Sequence, residues 1–272
     1  MKTSSMLKVV LAFAVLLSSA SAALAQGKTK LLWLGQASWR IESPGGKVIV
    51  IDPWLTQGPK APAEYKDLAK LGKVDVLLVT HAHVDHIGDA PAIAKMYKTK
   101  LYGPADMVTP LIFLGVIPAN LGHRFNKSGS VTPQGIKVTA VKAEHSSLYV
   151  FNNPATGKPE AHPAGEAMGY IIQMENGFKI WHMGDTGLFP DMQFIAEHYK
   201  PDLVLMPIGG NFTMDPLDAA FAARTWVKPK NVIPMHYGAN PLVAGKPEDF
   251  VNAMKGSSSK VTVMTEGQTV EF

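Results

Sequence analysis

A dense cluster of metal-binding residue types follows the apolar run at residues 74–79, which predicts a largely buried central strand. The cluster reads Thr80-His81-Ala82-His83-Val84-Asp85-His86. In an extended segment, side chains two positions apart point the same way, so His81 and His83 can bind one ion together. Asp85 and His86 follow where the chain should turn into a helix, and they can hold a second ion beside the first. Imidazole and carboxylate ligands together suit Zn, Mn or Fe.

The alternative interpretation of this cluster is an exposed histidine-rich loop without a metal. Four ligand-type side chains packed this closely repel or desolvate one another when no ion is present, so a purely structural use would be costly. The sequence therefore favours a metal site.

A catalytic metal keeps about three protein ligands and a water, so this cluster needs further ligands from elsewhere in the chain. Three candidates each follow a predicted strand, namely His145 after residues 136–141, Asp185 after residues 179–182, and His236 after residues 232–235. Each one alone would more often be a hydrogen-bonded structural residue. Because all three occupy the same strand-end context, we expect them to meet the first cluster.

Short apolar runs of strand type alternate with helical stretches along the chain, which indicates an α/β sandwich with sheets inside and helices outside. Strands are predicted at residues 31–34, 39–41, 47–51, 74–79, 100–103, 136–141, 170–174, 179–182, 203–206, 232–235 and 261–263. Helices are predicted at residues 88–97, 192–198 and 216–226, with Asp215 or Thr213 as the cap of the last one.

Two segments do not follow this alternation. Residues 152–167 are polar and rich in proline and glycine, and they predict a long loop. Residues 104–121 are apolar but are broken by Pro110 and Pro118. They predict a core helix, because apolar residues at helical spacing usually belong to the core; a lid or a substrate wall is the alternative.

The first residues have the order of a secretory signal peptide. Lys2 and Lys8 precede a short apolar run at residues 9–17, and small residues ending at Ala25 follow it. The apolar run is too short to span a bilayer comfortably. We therefore expect cleavage after Ala25, one mature domain at residues 26–272, export to the bacterial periplasm, and no stable membrane span.

Charge and cysteine content narrow the possible partners. Removal of residues 1–25 takes away two lysines and no acid, so the formal charge falls from +4 to +2. Without a basic run or stripe, this balance does not predict a nucleic-acid partner. The chain contains no cysteine, so neither a disulfide nor a thiolate metal ligand is available. The sequence leaves the oligomeric state open.

The complete set of candidate ligands resembles that of the metallo-β-lactamase superfamily: His-x-His-x-Asp-His, then a His, then an Asp within Gly-Asp-Thr, then a final His. The supporting stretches are residues 33–38, 51–55, 184–189, 207–210, 212–214 and 234–238. Within the superfamily, the chain is most similar to metal-dependent hydrolases related to ascorbate-6-phosphate lactonase. The resemblance implies an αββα sandwich.

The resemblance also implies how the ligands are shared between ions. His81, His83 and His145 would bind one ion, Asp85, His86 and His236 would bind the other, and Asp185 would bridge both. Two divalent ions, Zn or else Mn or Fe, are the implied cofactors. The chain departs from the pattern at Gln36, where many relatives carry a histidine. Relatives in this branch are mostly cytoplasmic, so lactonase activity on a phosphorylated intracellular sugar is not carried over to an exported chain.

A two-metal site of this kind predicts a metal-dependent hydrolase. Two ions that share a carboxylate and a water lower the pKa of that water from about 15.7 towards 7, which gives hydroxide at neutral pH. We expect this dinuclear-metal-activated hydroxide to attack an ester, lactone or similar small molecule, with Asp185 and Asp85 as the catalytic carboxylates. The alternatives are a phosphodiesterase of the same fold and, in a different class, a binding protein that holds metal without turnover.

Several further side chains are candidates for contacts with the substrate or with the ligands. Tyr237, Thr213 and His162 are the predicted substrate contacts. His182 lies in a strand just before the aspartate of Gly-Asp-Thr, and it predicts a role in orienting that ligand. Asp52 ends a strand at the same rim, and we expect it to hydrogen-bond the histidine-rich loop.

Overall fold

The structure is a computed structural model that describes residues 27–272. The predicted signal peptide at residues 1–25 lies outside the described residues, so its cleavage and the start of the mature domain at residue 26 stay predictions. Within the described residues, no helix is both long enough and apolar enough to cross a membrane.

The described residues form strands grouped into two large sheets and one small ribbon. In chain order the strands are β1 (Lys30–Trp33), β2 (Trp39–Glu42), β3 (Val48–Ile51), β4 (Val76–Leu78), β5 (Leu101–Pro104), β6 (Gly122–Phe125), β7 (Ser130–Val131), β8 (Lys137–Lys142), β9 (Leu148–Asn153), β10 (Lys158–Pro163), β11 (Met168–Gln173), β12 (Lys179–His182), β13 (Leu203–Pro207), β14 (Asn231–Met235), β15 (Lys260–Val261) and β16 (Thr269–Glu271). The eleven strands predicted from the sequence are all present, with shifts of one or two residues at their ends.

Helices connect the strands and cover the sheets. They are α1 (Val84–Ile87), α2 (Ala90–Tyr97), α3 (Ala105–Phe113), α4 (Asp191–Tyr199), α5 (Pro216–Phe221) and α6 (Pro247–Ala253). A π-helical turn at Ala222–Val227 extends α5, and short 3-10 turns lie at Ala63–Lys66, Leu68–Leu71, Ala119–Leu121 and Pro133–Gly135. The α5 cap is Asp215, whose carboxylate accepts hydrogen bonds from two backbone N–H groups of the first turn.

The two large sheets have seven strands each, in the orders β16-β1-β2-β3-β4-β5-β6 and β15-β14-β13-β12-β11-β8-β7. In the first sheet β3, β4, β5 and β6 run parallel to one another, and in the second sheet β12, β13, β14 and β15 do. Parallel strands of one sheet end at the same edge. Residues that follow β4, β12 and β14 are therefore brought to the carboxyl edges of their sheets.

The inner core lies between the two sheets. Trp39 and Ile41 on β2 and Leu205 on β13 are among the fully buried side chains of this layer. Along β3 all four residues are buried, because Ile49 and Ile51 face the other sheet while the alternate valines face the helices. A strand covered on both faces in this way has an uninterrupted apolar sequence.

Two outer cores complete the layers. One packs the far face of the first sheet against α2 and α3, with Ile93 and Leu111 fully buried. The other packs the far face of the second sheet against α4, α5 and α6, with Ala219 and Phe250 fully buried. The resulting order of helix, sheet, sheet and helix is the αββα sandwich that the resemblance implies.

Residues 104–121 supply part of the outer core on the first sheet. This confirms the interpretation of the segment as a core helix rather than a lid. Met107, Val108 and Leu111 on one side of α3 are fully buried. Pro110 lies inside the helix, and Phe113 at its end is exposed.

The prediction of a long loop at residues 152–167 is wrong. This segment and the residues before it form an antiparallel two-stranded ribbon, in which β9 pairs with β10 from Leu148↔Pro163 to Asn153↔Lys158. The proline content suggested a loop, because proline has no N–H group to donate within a sheet. In a two-stranded ribbon, however, each strand pairs along one edge only, and the other edge needs no N–H donor. Pro159 and Pro163 are four residues apart in a strand of period two, so both ring nitrogens face the same edge.

Replacement of Trp39 by alanine should destabilise the fold strongly. The indole is fully buried between the sheets, stacks on Trp33 with 6.0 Å between ring centroids, and donates to the Met235 sulfur at 3.4 Å. We expect a loss of about 3–5 kcal/mol in the free energy of unfolding, measured by urea denaturation. The matched control is Phe194→Ala, which changes an exposed side chain on α4 and should alter the free energy by about 0.5 kcal/mol or less. Equal effects of the two substitutions would contradict the assignment of the core.

Candidate metal centre

The structure brings the seven predicted ligands together at one rim of the sandwich, at or beyond the ends of strands. The histidine-rich segment follows β4, and the remaining ligands follow β8, β12 and β14. Three sets of ligand atoms each lie within 4.8 Å of one another: His81, His83 and His145; Asp85, His86 and His236; and His81, His86 and Asp185. Strands from both sheets therefore contribute to a single cluster.

Three imidazoles converge in the first set. His83 Nδ1 lies 3.0 Å from His81 Nε2 and 3.1 Å from His145 Nε2. One ring nitrogen carries either a hydrogen or a lone pair, so it cannot satisfy two neighbouring ring nitrogens equally. A cation that accepts three lone pairs satisfies all three imidazoles at once. This donor set fits a metal ion.

The second set adds a carboxylate to two imidazoles. Asp85 Oδ2 lies 3.3 Å from His236 Nε2 and 3.8 Å from His86 Nε2. The side chains of His86 and His236 are buried, whereas the Asp85 side chain keeps 24% of its surface exposed. Asp85 is therefore the ligand candidate of this set that reaches solvent.

Asp185 lies between the two sets. Its Oδ2 is 3.1 Å from His236 Nε2 and 3.7 Å from His145 Nε2, and its Oδ1 is 3.2 Å from His86 Nε2. The buried atoms His86 Nε2 and Asp185 Oδ1 form no hydrogen bond with suitable angles. Unsatisfied buried polar atoms that face each other across a ligand cluster are expected where an ion belongs. Asp185 is therefore within reach of imidazoles from both sets.

Burial keeps three imidazoles of the cluster neutral. It lowers the pKa of His81 well below the ordinary value, assisted by the nearby His86, and it also lowers the pKa of His83 and of His145. Neutral imidazole is the form that binds a metal. The first set is therefore in its ligand form at neutral pH.

The carboxylates have the opposite effect on the other two imidazoles. Burial alone would lower the pKa of His236, but the Asp185 carboxylate outweighs it and raises that pKa to about 9. The same balance between burial and Asp185 raises the pKa of His86 well above its usual range. Although burial opposes ionisation of Asp185, the pKa of that carboxyl is well below its usual range because His236 and His86 surround it. Buried carboxylates here require positive charge, which bound cations can also provide.

Asp52 holds the histidine-rich loop, as the sequence predicts. This completely buried carboxylate accepts hydrogen bonds from the Thr80 backbone N–H at 2.7 Å, the Thr80 hydroxyl at 2.7 Å and His86 Nδ1 at 2.8 Å. Thr80 Oγ1 also lies 3.1 Å from His81 Nδ1. Each imidazole is thus held through Nδ1 and points Nε2 into the cluster. Partners of this kind fix both the orientation and the tautomer of a ligand histidine.

Three residues at the rim adopt the left-handed backbone conformation although none is glycine. Gln36, Asp52 and His236 have φ values of +50°, +47° and +57°, and each lies just beyond the end of a strand. Such a conformation is unfavourable for side chains with a Cβ, and it persists where the surrounding structure imposes it. Here it turns each side chain from its strand toward the cluster.

Gln36 also belongs to the site, although the sequence left its role open. Its Nε2 donates to Asp85 Oδ2 at 3.3 Å and lies 3.1 Å from His236 Nε2. The sequence feature that pointed to Gln36 was its position after the glycine of the first strand, where many relatives carry histidine.

His182 supports the metal centre without belonging to the ligand sets. Its Nε2 donates to the Ala37 carbonyl at 3.0 Å and its Nδ1 accepts the Gly184 N–H at 3.2 Å. It thereby fixes the turn that presents Asp185.

A cavity of about 810 Å³ opens beside the cluster. Its lining residues are Trp54, Ala82, His83, Val84, Asp85, Ile87, Gly88, His145, Ser146, Leu148, Tyr149, Val150, Asn152, Asp185, Phe212, His236, Asn240 and Val243. Five candidate ligands therefore face the same space as several apolar side chains from the ribbon and from neighbouring loops. A small molecule in this cavity would reach the ligand cluster directly.

The three predicted substrate contacts do not line this cavity. The Tyr237 ring packs against Trp33 and its hydroxyl donates to the Met264 carbonyl at 3.5 Å. The Thr213 hydroxyl donates to the Met214 carbonyl at 3.2 Å. His162 lies on β10 and packs edge-on against Phe151. Their role in substrate binding stays a prediction.

Comparison with known proteins links these features to a family. The model of the β-lactamase superfamily domain matches residues 30–236. A UPF0173 metal-dependent hydrolase of Polynucleobacter asymbioticus is 72% identical over 256 residues, which are 93% of this chain and 90% of that protein. A UPF0173 metal-dependent hydrolase of a Polaromonas species is 60% identical over 270 residues, which are 98% of this chain and 99% of that protein.

Solved structures include a similar protein with the same arrangement of layers. A metallo hydrolase of the hyperthermophilic archaeon Ignicoccus hospitalis superposes with a TM-score of 0.77 at 33% sequence identity. The match covers 90% of this chain and 98% of that protein.

Replacement of Asp52 by asparagine should weaken metal binding without removing a ligand. The new NH₂ group would face His86 Nδ1, which must then accept a hydrogen bond, so Nε2 would carry the proton and lose its free lone pair. We expect the affinity for Zn²⁺, measured by calorimetry, to fall about 10- to 100-fold.

The control for this experiment is Asp67→Asn, because Asp67 also accepts a hydrogen bond from a backbone N–H, that of Ala69, but is exposed on the surface. Its Zn²⁺ affinity should equal that of the parent. An unchanged affinity in the Asp52 variant would contradict the positioning role.

Proposed function

Since this chain belongs to the β-lactamase superfamily and is a metal-dependent hydrolase, we propose that it holds two divalent ions and cleaves an ester, a lactone or a similar small molecule. The observation that carries the proposal is the pair of ligand sets that meet at Asp185. A mononuclear site would leave one of these sets without a cation among its buried carboxylates and imidazoles. High identity to metal-dependent hydrolases removes the alternative of a binding protein without turnover.

The donor chemistry supports zinc as the native metal. The first set offers three neutral imidazoles, and the second offers two imidazoles and a carboxylate. Zinc prefers such nitrogen and oxygen donors, and it commonly binds three protein ligands while it leaves a position for water. Manganese and iron accept the same donors.

Different residues of the metal centre have different roles in the proposed reaction. Bound divalent ions would supply Lewis-acid activation of a water molecule and of the electrophile. Asp185 lies between the two ligand sets, where its carboxylate can orient the attacking water and carry its proton to the leaving group. Asp85 faces the cavity with part of its side chain exposed, so it can hold that water on the substrate side.

The lining of the cavity favours carbonyl substrates over phosphodiesters. Within the part of the chain that the structure describes, neither lysine nor arginine lines this cavity. Phosphate recognition ordinarily uses these side chains, because each supplies a full positive charge with several hydrogen-bond donors. The acids and histidines that are present would be engaged with metal. An uncharged ester or lactone therefore fits the cavity better than a phosphodiester does.

Replacement of Asp185 by alanine should remove most turnover while the protein remains folded. The substitution deletes the carboxylate shared by the two ligand sets, and we expect kcat/KM to fall by at least about a hundredfold. The measurement is hydrolysis of matched chromogenic esters, lactones and phosphodiesters by metal-loaded protein, with and without a chelator, together with circular dichroism.

The matched control is Asp218→Ala, which removes an exposed carboxylate from the first turn of α5. It should retain the parent rate and the parent sensitivity to chelator. Rates near those of the parent in Asp185→Ala would reject the assignment of this residue. Turnover confined to phosphodiesters would replace the carbonyl proposal with the phosphodiesterase alternative.

We also propose that the protein acts after export, in the periplasm. The support is the order of charged, apolar and small residues that ends at Ala25. In cell fractions of the producing bacterium, we expect a soluble periplasmic protein whose N-terminal residue is Gln26, identified by intact mass and N-terminal sequencing. A full-length chain in the cytoplasm, or one retained in the membrane fraction, would contradict the proposal.

A further inference from the structure

We propose that the exposed face of the β9–β10 ribbon binds an uncharged acyl or alkyl chain of the substrate. This inference deepens the function proposed above and rests on it. The face is defined by three residues of β9, Leu148, Val150 and Asn152, and by three residues of β10, Pro159, Ala161 and Pro163. We call it the ribbon face.

The two faces of the ribbon differ in burial. Along β9, exposed residues alternate with half-buried ones, and the exposed set is Leu148, Val150 and Asn152. Along β10 the exposed residues of the same register are Pro159, Ala161 and Pro163, which pair with Asn152, Val150 and Leu148. Paired residues of an antiparallel ladder share a face. The ribbon therefore presents one continuous exposed face.

The ribbon face is more apolar than expected of a solvent-exposed surface. A half-buried strand normally directs apolar side chains inward and polar ones outward. Here the half-buried side carries the aromatic residues Tyr149 and Phe151 beside Glu160 and His162. The exposed side nevertheless carries five apolar residues and one asparagine. Leu148 is 40% exposed and Val150 is 52% exposed. Apolar groups held outward in this way indicate a surface that binds an apolar partner.

The geometry assigns that partner to the catalytic cavity. Leu148, Val150 and Asn152, which form the β9 half of the ribbon face, all line the cavity that also contains His145 and Asp185. Three residues of a strand at spacing two span about 13 Å, since each residue advances the chain by about 3.3 Å. A chain of medium length can therefore lie along the ribbon while its carbonyl group is at the ligand cluster.

Two loops supply apolar surface at other parts of the same cavity. Val84 follows the second histidine of the cluster and is 62% exposed, and Phe212 is 51% exposed on the loop after β13. Trp54 also lines the cavity, on the segment after β3. These side chains, unlike ordinary scattered surface residues, converge on one space. The cavity thus has a polar end at the ligand cluster and apolar walls elsewhere.

Hydrogen bonds of Ser147 attach the ribbon to the histidine-rich loop. The Ser147 hydroxyl accepts the Ala82 backbone N–H at 3.2 Å and donates to the Ala164 carbonyl at 3.1 Å. Ala164 N–H in turn donates to the Ser147 carbonyl at 3.2 Å. Both ends of the ribbon are therefore joined next to the histidine-rich loop. The half-buried Tyr149 packs on the core beneath the first sheet, which fixes the ribbon face toward the cavity.

The test compares substrates that differ only in chain length. Hydrolysis of p-nitrophenyl octanoate and butanoate is measured with metal-loaded protein, and each rate is normalised to its uncatalysed rate. A fully buried methylene contributes about fourfold, so partial burial of four added methylenes should favour octanoate by about tenfold or more in kcat/KM. Val150→Asp should lower this ratio several-fold, and Val150→Leu should preserve it. Phe194→Ser, which alters a 66% exposed residue on α4, should leave the ratio unchanged.

A binding measurement separates this inference from the proposed function. Calorimetry with N-methyloctanamide and N-methylbutanamide reports the same chain preference without any turnover. If no ester is hydrolysed but the longer amide binds about tenfold more tightly, and Val150→Asp abolishes the difference, the proposed function fails and the inference stands. If esters are hydrolysed with no dependence on chain length, the inference fails and the function stands.

Three further outcomes would overturn the inference. A chain-length preference that persists in Val150→Asp and in Leu148→Asp would place the acyl chain elsewhere in the cavity. Binding of neutral phosphatidylcholine vesicles by the parent, lost in Val150→Asp and without chain-length preference for either probe, would assign the ribbon face to a membrane surface. Equal affinity of both amides in every variant would also reject it.

Discussion

The buried carboxylate of Asp52 determines where the histidine-rich loop can lie. It accepts three hydrogen bonds, all from Thr80 and His86, and it does so at the end of a strand that is itself buried on both faces. A buried charge without such partners would destabilise the fold by several kcal/mol, so a loop position that breaks these hydrogen bonds is strongly disfavoured. The directions of His81 and His86 follow from this anchor. The ligands from the second sheet then complete a cluster whose first half is already oriented.

Much of this organisation could be predicted from local sequence patterns. The buried strands have apolar runs of the right length, and the ligand candidates follow them directly, so the edge at which they meet could be inferred from strand direction alone. The spacing of His81, His83, Asp85 and His86 is also a local property. The αββα layers and the identity of the family could be inferred from these features, together with the later motif around Asp185.

The parts that could not be predicted depend on contacts between distant residues. The ribbon was missed because its pairing involves proline-containing segments whose composition resembles that of a loop, and strand pairing is a property of two segments rather than one. The environment of Gln36 depends on Asp85 and on His236, which lie 49 and 200 residues away in the sequence. Nor could the sequence show that Tyr237 packs against Trp33 or that the Thr213 hydroxyl hydrogen-bonds to the Met214 carbonyl, since these contacts are set by the packing of their neighbours.

The ribbon forms a sheet of its own, hydrogen-bonded to neither large sheet, and it joins the rest of the molecule near Ser147 and Ala164. Mutations on its exposed side consequently leave the strand registers and the anchors of the histidines untouched. The candidate ligands contact one another across both sheets, so a change in one of them affects the others. The exposed residues of the ribbon have no such mutual contacts with the ligand cluster. Substitutions there can alter one wall of the cavity while the ligand cluster keeps its geometry.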